Sequence, residues 1–103
     1  MRARPVHANA GGAVHGGALT AFADSAPTAF ALRGVDRDTE WVATISLTCE
    51  FMAPARPGDW IECRGAVTRR TGSLVFVRGA MTVGETTVVT CSAVPRRLSR
   101  DRR

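Results

Sequence analysis

Apolar and polar positions change their period along the chain, and the changes divide it into one helix and four strands. From about Gly16 to Leu32, the residues Leu19, Phe22, Ala23, Ala26 and Phe30 recur at helical spacing and make one apolar stripe. Pro27 falls inside this run, where it removes the bond to the Ala23 carbonyl and predicts a kink. Arg33-Gly34 is a stop signal, and residues 34–39 read as a polar loop. From Trp41 to Met52 the period drops to two. Trp41, Ala43, Ile45, Leu47, Cys49 and Phe51 share an apolar face, while Val42, Thr44, Ser46, Thr48 and Glu50 take the other. Residues 53–58 hold two prolines and a glycine, a turn. Asp59 to Arg69 predict a second strand, with Ile61, Cys63, Gly65 and Val67 on one face. Arg70-Thr71-Gly72 closes a hairpin into a third strand, Ser73 to Val83. Gly84-Glu85 turns the chain into a fourth, Thr86 to Val94, which Pro95 ends or confines to an edge. Residues 96–103 read as a frayed basic tail, and residues 1–14 as a loop with a strand remnant near Val6.

One amphipathic helix followed by an antiparallel meander buries its stripe against the sheet, which makes the class α+β with two layers. At 103 residues the chain is a single domain, 1–103, close to the lower size at which a core suffices. Its 45% hydrophobic and 22% charged content is that of a globular protein, and no apolar run reaches membrane-span length. The N-terminus lacks a signal-peptide pattern, so the expected location is cytoplasmic and no membrane partner is expected. All 14 basic residues are Arg, with no Lys and no Tyr, and the net charge is +5. That charge steers anionic ligands, phosphates or nucleic acid, without choosing between them; the short Arg-rich terminus reads first as a solvated end, and a nucleic-acid partner is not expected. Cys49, Cys63 and Cys91 are far apart, odd in number and without a Cys-x-x-Cys pair, so they read as free thiols rather than metal ligands. Neither a metal nor a cofactor is expected.

The chemistry concentrates in residues 7–26. Asn9, the sole Asn, lies six positions before His15; Gly16 and Gly17 follow His15 directly, and Asp24 lies nine positions after it. A helix opening at Gly16 or Gly17 presents N–H groups without intrahelical partners, reinforced by the peptide dipoles. Glycine lets a carbonyl oxygen approach those donors, which is the need of an oxyanion forming on a thioester or ester. Asp24, about two turns on, supplies a carboxylate able to act as base toward water or as nucleophile. Alone, His15-Gly16-Gly17 would read as a capped flexible loop and Asp24 as a solvated helix residue.

The segment Asn9…Gly12-Ala13-Val14-His15-Gly16-Gly17-Ala18-Leu19…Ala23-Asp24 resembles the signature of hotdog-fold acyl-CoA thioesterases, in their phenylacetate-pathway-like (PaaI-type) branch. Residues 44–47 and 51–59 are similar to that branch's strand and following turn. The resemblance runs from about Val6 to Leu98. It implies a hotdog fold, a long helix wrapped by a curved antiparallel sheet, here lacking most of its first strand, because residues 1–6 are too few to build one. The expected consequence is an unpaired sheet edge away from the dimer seam. The resemblance also implies hydrolysis of an acyl-CoA to free acid and CoA. Gly16 would donate its N–H to the thioester carbonyl, with Asn9 and His15 near the thiol leaving group or the attacking water. Asp24 would serve as base or nucleophile, and Thr44 would orient water, although its strand parity places it off the apolar face. Gly17, with Arg69, Arg70 and Ser73 around the hairpin, would bind substrate, the arginines facing CoA phosphates. Two arginines on an exposed hairpin are equally explained by solubility. Each active site would combine Asp24 of one subunit with the His15-Gly16-Gly17 loop of another, in a homodimer or homotetramer. The alternative is a non-catalytic acyl-CoA-binding or regulatory hotdog protein; a dehydratase or hydratase fits the His15-Gly16-Gly17 context less well. Phe22, Phe51, Met52 and Phe76 are candidate pocket residues, or simply core.

Overall fold

The computed structural model describes residues 1–33 and 38–99, with the side chains of Pro27, Thr28 and Phe30 outside the description. A 3-10 turn, Pro5–His7, precedes α1 (Gly16–Ala31), and four strands follow: β1 (Glu40–Phe51), β2 (Glu62–Arg70), β3 (Val75–Val83) and β4 (Thr86–Ser99). They form one antiparallel sheet in the order β1-β4-β3-β2, with α1 across one face, the expected α+β layout. The helix continues through Pro27 to Ala31. Of its stripe, Leu19 and Ala23 are buried, with Phe22 packed beside them. Beneath them lie Ile61, Met81 and Val89; toward the end of the helix Ala31 and Leu32 meet Val42, Val75 and Val77. Removing a side chain such as Ile61 or Met81 from this core costs about 2–5 kcal/mol. The expected loop over 34–39 falls largely on residues outside the description.

The expected faces of β1 need a correction. Val42, assigned to the polar side, is buried, whereas Ile45, assigned to the apolar side, is 59% exposed, and Trp41 is exposed too. The register explains it: Thr44 lies opposite Pro95 and Ser46 opposite Val94, so Ile45 is one residue too many, a β-bulge. Because side chains alternate with period two, the extra residue reverses the parity. Val42 and Thr44 face α1 before it, Leu47 and Cys49 after it.

β4 also differs, since it does not end at Pro95 but runs to Ser99. Arg97 N–H donates to the Ser73 carbonyl, so odd positions of β4 turn their backbone groups toward β3. The donor that Pro95 lacks would therefore point to β3, where the ladder is open between the Val77–Ala93 pair and the Leu74–Arg96 bridge. Residues 96–99, expected to fray, pair with β1 from Glu40 to Ala43, and Arg97 holds Glu40 in an ion pair at 2.7 Å. Residues 100–103 lie outside the description.

At the other end, Val6 is not in a strand. It sits in the 3-10 turn, 80% exposed. The strand-like pairing is earlier: Ala3 N–H donates to the Asp59 carbonyl, Ile61 N–H to the Met1 carbonyl, and Arg2 bridges Trp60. Past this rung the outer edge of β2 has no strand partner among the described residues.

Candidate active site

The approach to α1 is a tightly tied loop. Asn9 Oδ1 accepts from the N–H groups of Gly11 (2.9 Å) and Ala13 (3.2 Å), and Asn9 N–H donates to the Ala13 carbonyl. The turn passes through Gly12 at φ 83°, a conformation natural only to glycine. Val14 N–H then donates to the Ala55 carbonyl and His15 N–H to the His7 carbonyl, which fixes where the helix begins. His15 Nδ1 accepts the Gly17 N–H at 2.8 Å and thereby caps the helix. A neutral ring accepting at Nδ1 carries its proton on Nε2, directed away from the cap. Gly17 permits this closeness, for a Cβ there would lie 2.9 Å from Nδ1.

The two glycines therefore differ in role. Gly17 has its N–H engaged by His15, while the Gly16 N–H has no partner among the described residues. Gly16 lines an apolar hollow of about 360 Å³ with Leu19, Phe51, Met52, Ala53 and Pro54. The Phe51 ring packs 3.7 Å from where a Cβ of Gly16 would stand. An unpaired donor at a helix start, under an aromatic ring and beside an apolar hollow, suits a carbonyl oxygen gaining negative charge.

Asp24 is exposed on α1, and Thr44 Oγ1 donates to its Oδ1 at 2.7 Å. Thr44 reaches it because the bulge turns this part of β1 toward the helix; parity along an unbroken strand gave the opposite face. Asp24 is eight residues beyond Gly16, about 12 Å along the axis. One chain thus holds the parts in two groups, Asn9, His15, Gly16 and Gly17 at the helix start, and Asp24 with Thr44 in its middle. A reacting carbonyl must lie within about 3–3.5 Å of its catalytic groups, so the two groups of one chain do not serve the same bond.

The hairpin residues separate. Arg70 donates to the carbonyls of Ala31 (3.3 Å) and Arg33 (3.4 Å), a C-terminal cap of α1. Arg69 points to the opposite face of the sheet, and Ser73 lends its carbonyl to Arg97. The capping role of Arg70 was not legible, since nothing in the sequence joins residue 70 to a helix ending 39 positions earlier. Of the candidate pocket aromatics, Phe51 reaches the Gly16 hollow. Phe22 and Phe76 line other surfaces.

The three cysteines are free. Cys49 and Cys91 stand opposite each other on β1 and β4. Burial pushes all three thiols up, Cys91 to about 11 with added repulsion from Cys63 and Cys49; at Cys63 the N-terminal ammonium partly opposes the rise. Among the described residues no three His, Cys, Asp or Glu gather as a metal-binding group, and no helix is long and apolar enough to cross a membrane.

Comparison with known proteins bears on this arrangement. Residues 11–94 match the model of the Thioesterase superfamily. A Pseudomonas aeruginosa protein named as a putative esterase is 30% identical over 94 residues, covering 91% of this chain and 69% of that one. A Ralstonia eutropha JMP134 structure, described as a putative thioesterase related to phenylacetic acid degradation, superposes with TM-score 0.81. Its identity is 28%, over 91% of this chain and 70% of that one. A Bacillus halodurans protein solved with CoA shares the fold at TM-score 0.87 and 17% identity, over 95% and 68% of the two chains. The one-helix, four-stranded sheet is thus a hotdog, and the chain belongs to the Thioesterase superfamily.

Proposed function

We propose that the chain hydrolyses an acyl-CoA thioester. The observation that carries this reading is the unpartnered Gly16 N–H at the start of α1, open to an apolar hollow. The thioester carbonyl oxygen accepts from Gly16 while the acyl group lies against Phe51 and Met52. Water attacks the carbonyl carbon, Asp24 takes the water's proton, and the oxyanion is held by Gly16. Collapse of the intermediate breaks the C–S bond. A thiol is a far stronger acid than water, with a pKa of about 8.5 in cysteine, so the thiolate leaves without a strong acid and takes up the proton that Asp24 removed from the water. Asp24 as nucleophile is the variant in which an anhydride precedes hydrolysis. Thr44 holds the Asp24 carboxylate in place, and His15, with Nε2–H directed outward, and Asn9 stand beside the leaving thiol or the water.

The 12 Å between Gly16 and Asp24 supports a site shared between two copies, Asp24 of one facing Gly16 of the other, and hence a dimer or a tetramer built from dimers. CoA as the thiol is supported by the Bacillus halodurans protein, which holds CoA on the same fold. Arg69 and Ser73 are candidates for its phosphates, and Gly17 for its thioester end. Arg70 already spends its guanidinium on α1.

The test is thiol release from a panel of aliphatic and aromatic acyl-CoA substrates. Wild type is expected to turn over at least one of them, and Asp24→Ala to lose about 10²–10⁴-fold in kcat with its fold intact. Asp24→Ala as fast as wild type would overturn the mechanism. Tight acyl-CoA binding without turnover by wild type would favour the non-catalytic reading.

A further inference from the structure

We infer that Cys49 and Cys91 form a reversible disulfide across the β1–β4 ladder, which makes this pair a redox modification site beside the Gly16 hollow. The ladder sets Cys49 directly opposite Cys91. Antiparallel pairs alternate between those that exchange backbone hydrogen bonds and those that do not, the latter with Cα atoms about 4.5 Å apart. Met52 N–H donates to the Val88 carbonyl, so, counting back along the register, the bonded pairs are Glu50–Thr90 and Thr48–Ser92. Cys49–Cys91 lies between them and is a non-bonded pair. The bond from Arg97 N–H to the Ser73 carbonyl agrees, since it turns the odd positions of β4 toward β3. A Cα separation of about 4.5 Å falls at the short end of the disulfide range, about 4.4–6.8 Å. Both side chains lie on the α1 face, packed in one cluster with Leu19 and Val89.

Space and position also single out this pair. Cys91 Sγ leans over Gly79, where a Cβ would lie 3.4 Å from it, and Gly79 in turn lies opposite Gly65 on β2. Neither glycine carries a side chain to hem the sulfur in, so rotation about the Cys91 Cα–Cβ bond carries it toward Cys49. Cys63 is excluded by distance. β3 stands between its strand and β4, and two strand spacings come to about 10 Å, beyond the roughly 7 Å that a disulfide spans. Directly opposed residues hold their Cβ atoms about 4.5–5.5 Å apart, whereas a disulfide needs about 3.8 Å. Closing the bridge therefore pulls β1 toward β4, and the strain makes the bond easier to reduce than a structural one. Phe51 is the next residue of β1 on the same face, its ring packed 3.7 Å from where a Cβ of Gly16 would stand. The redox state of the pair thus reaches the ring that covers Gly16.

The oxidant is a small disulfide such as glutathione disulfide. Cys91 is buried and Cys49 partly exposed, so Cys49 reacts first. Its thiolate attacks one glutathione sulfur, breaking that S–S bond and releasing a glutathione thiolate. The Cys91 thiolate then attacks the Cys49 sulfur of the mixed disulfide and releases the second glutathione. The two cysteines lose two electrons and two protons, and glutathione disulfide becomes two glutathione thiols. The test equilibrates the full chain in glutathione buffers of rising oxidised fraction, then counts protein thiols after desalting and denaturation. The count is expected to fall from three to one, and to return to three on adding reduced glutathione. Cleavage after Glu50 and Glu62 separates Cys49 from Cys63, so mass spectrometry of wild type assigns the bridge. A linked Cys49–Cys91 peptide, lighter by two hydrogens, is expected with Cys63 free. Cys63→Ala should keep the bridge and Cys91→Ala should lose it. The Phe51 ring resonances, identified with Phe51→Leu, should shift on oxidation and recover on reduction. None of these readouts needs turnover, so they stand apart from the thioesterase reading. Unmoved Phe51 resonances would overturn the link to the Gly16 hollow. A bridge to Cys63, a glutathione adduct as the final product, or three thiols in fully oxidised buffer would overturn the inference itself.

Discussion

Thr44 Oγ1 and Asp24 Oδ1 meet at 2.7 Å, and that bond helps to aim the carboxylate. If Asp24 activates water, Thr44→Val should lower kcat about tenfold with little change in KM, the cost of one lost hydrogen bond to a charged group. Thr44→Ser should restore most of the rate, because it keeps the hydroxyl. Equal rates for the Val and Ser variants would show that the bond is irrelevant to turnover. At Gly17 the expectation is steric. A methyl group 2.9 Å from His15 Nδ1 drives the imidazole off its cap. Gly17→Ala should therefore lower stability by about 1 kcal/mol, the worth of an N-cap, and reduce activity as well; a thermal midpoint at or above that of wild type would refute this. Gly16 and Gly17 were legible as the opening of a helix. Alone they read as a capped flexible loop, and only the offsets of Asn9 and Asp24, with the resemblance, gave them a chemical reading. Their division into one free and one engaged N–H was not legible, since it depends on the imidazole rotamer.

Among the elements, α1 is held at both ends by side chains that lie outside it, one adjacent in sequence and one distant. His15 closes its start, and Arg70, reaching from β2, takes carbonyls at its end. Arg70→Ala is expected to lower stability by about 1 kcal/mol in denaturant unfolding, the net worth of such bonds. It should do so without shifting KM for the thioester, which separates capping from a role in binding CoA phosphate. The helix and the strands were readable because their apolar residues keep period: Leu19 with Ala23, Val75 with Val77 and Met81. What period cannot reveal is a change of phase. Ile45 reads as a perfect apolar position of an alternating strand, and only pairing with β4 shows that it is supernumerary. Pro95 misled for a related reason, as a missing donor matters only where a partner carbonyl stands opposite.

The whole molecule has an unusual titration. With no Lys and no Tyr in the sequence, the cysteines are the side chains that titrate between pH 9 and 11. Burial holds the Cys91 thiol near 11 in the folded chain against 9.0 in the open chain, and raises Cys49 and Cys63 as well. Above pH 9 the unfolded chain sheds these protons first. Stability should thus be complete below pH 9, fall as pH rises toward 11, and level off beyond. A variant with Cys49, Cys63 and Cys91 all changed to Ala should show a flat profile over that window, at lower absolute stability. A wild-type profile that is already flat would show that the thiols ionise alike in both states.

The surplus residue in β1 also makes one place in the chain elastic in length. Deleting Ile45 would set Thr44 beside Ser46, opposite Pro95 and Val94, in plain one-to-one register. Every other side chain of the strand would keep its side, Val42 and Thr44 toward the helix, Leu47 and Cys49 likewise. Deleting Leu47 instead would throw one end of the strand out of phase and turn buried groups to water. The shortened Ile45 protein is therefore expected to fold and keep thioester turnover, while the Leu47 deletion collapses; the reverse ranking in solubility and thermal unfolding would contradict this. Insertions and losses accumulating over descent should be tolerated in this strand at that point before any other.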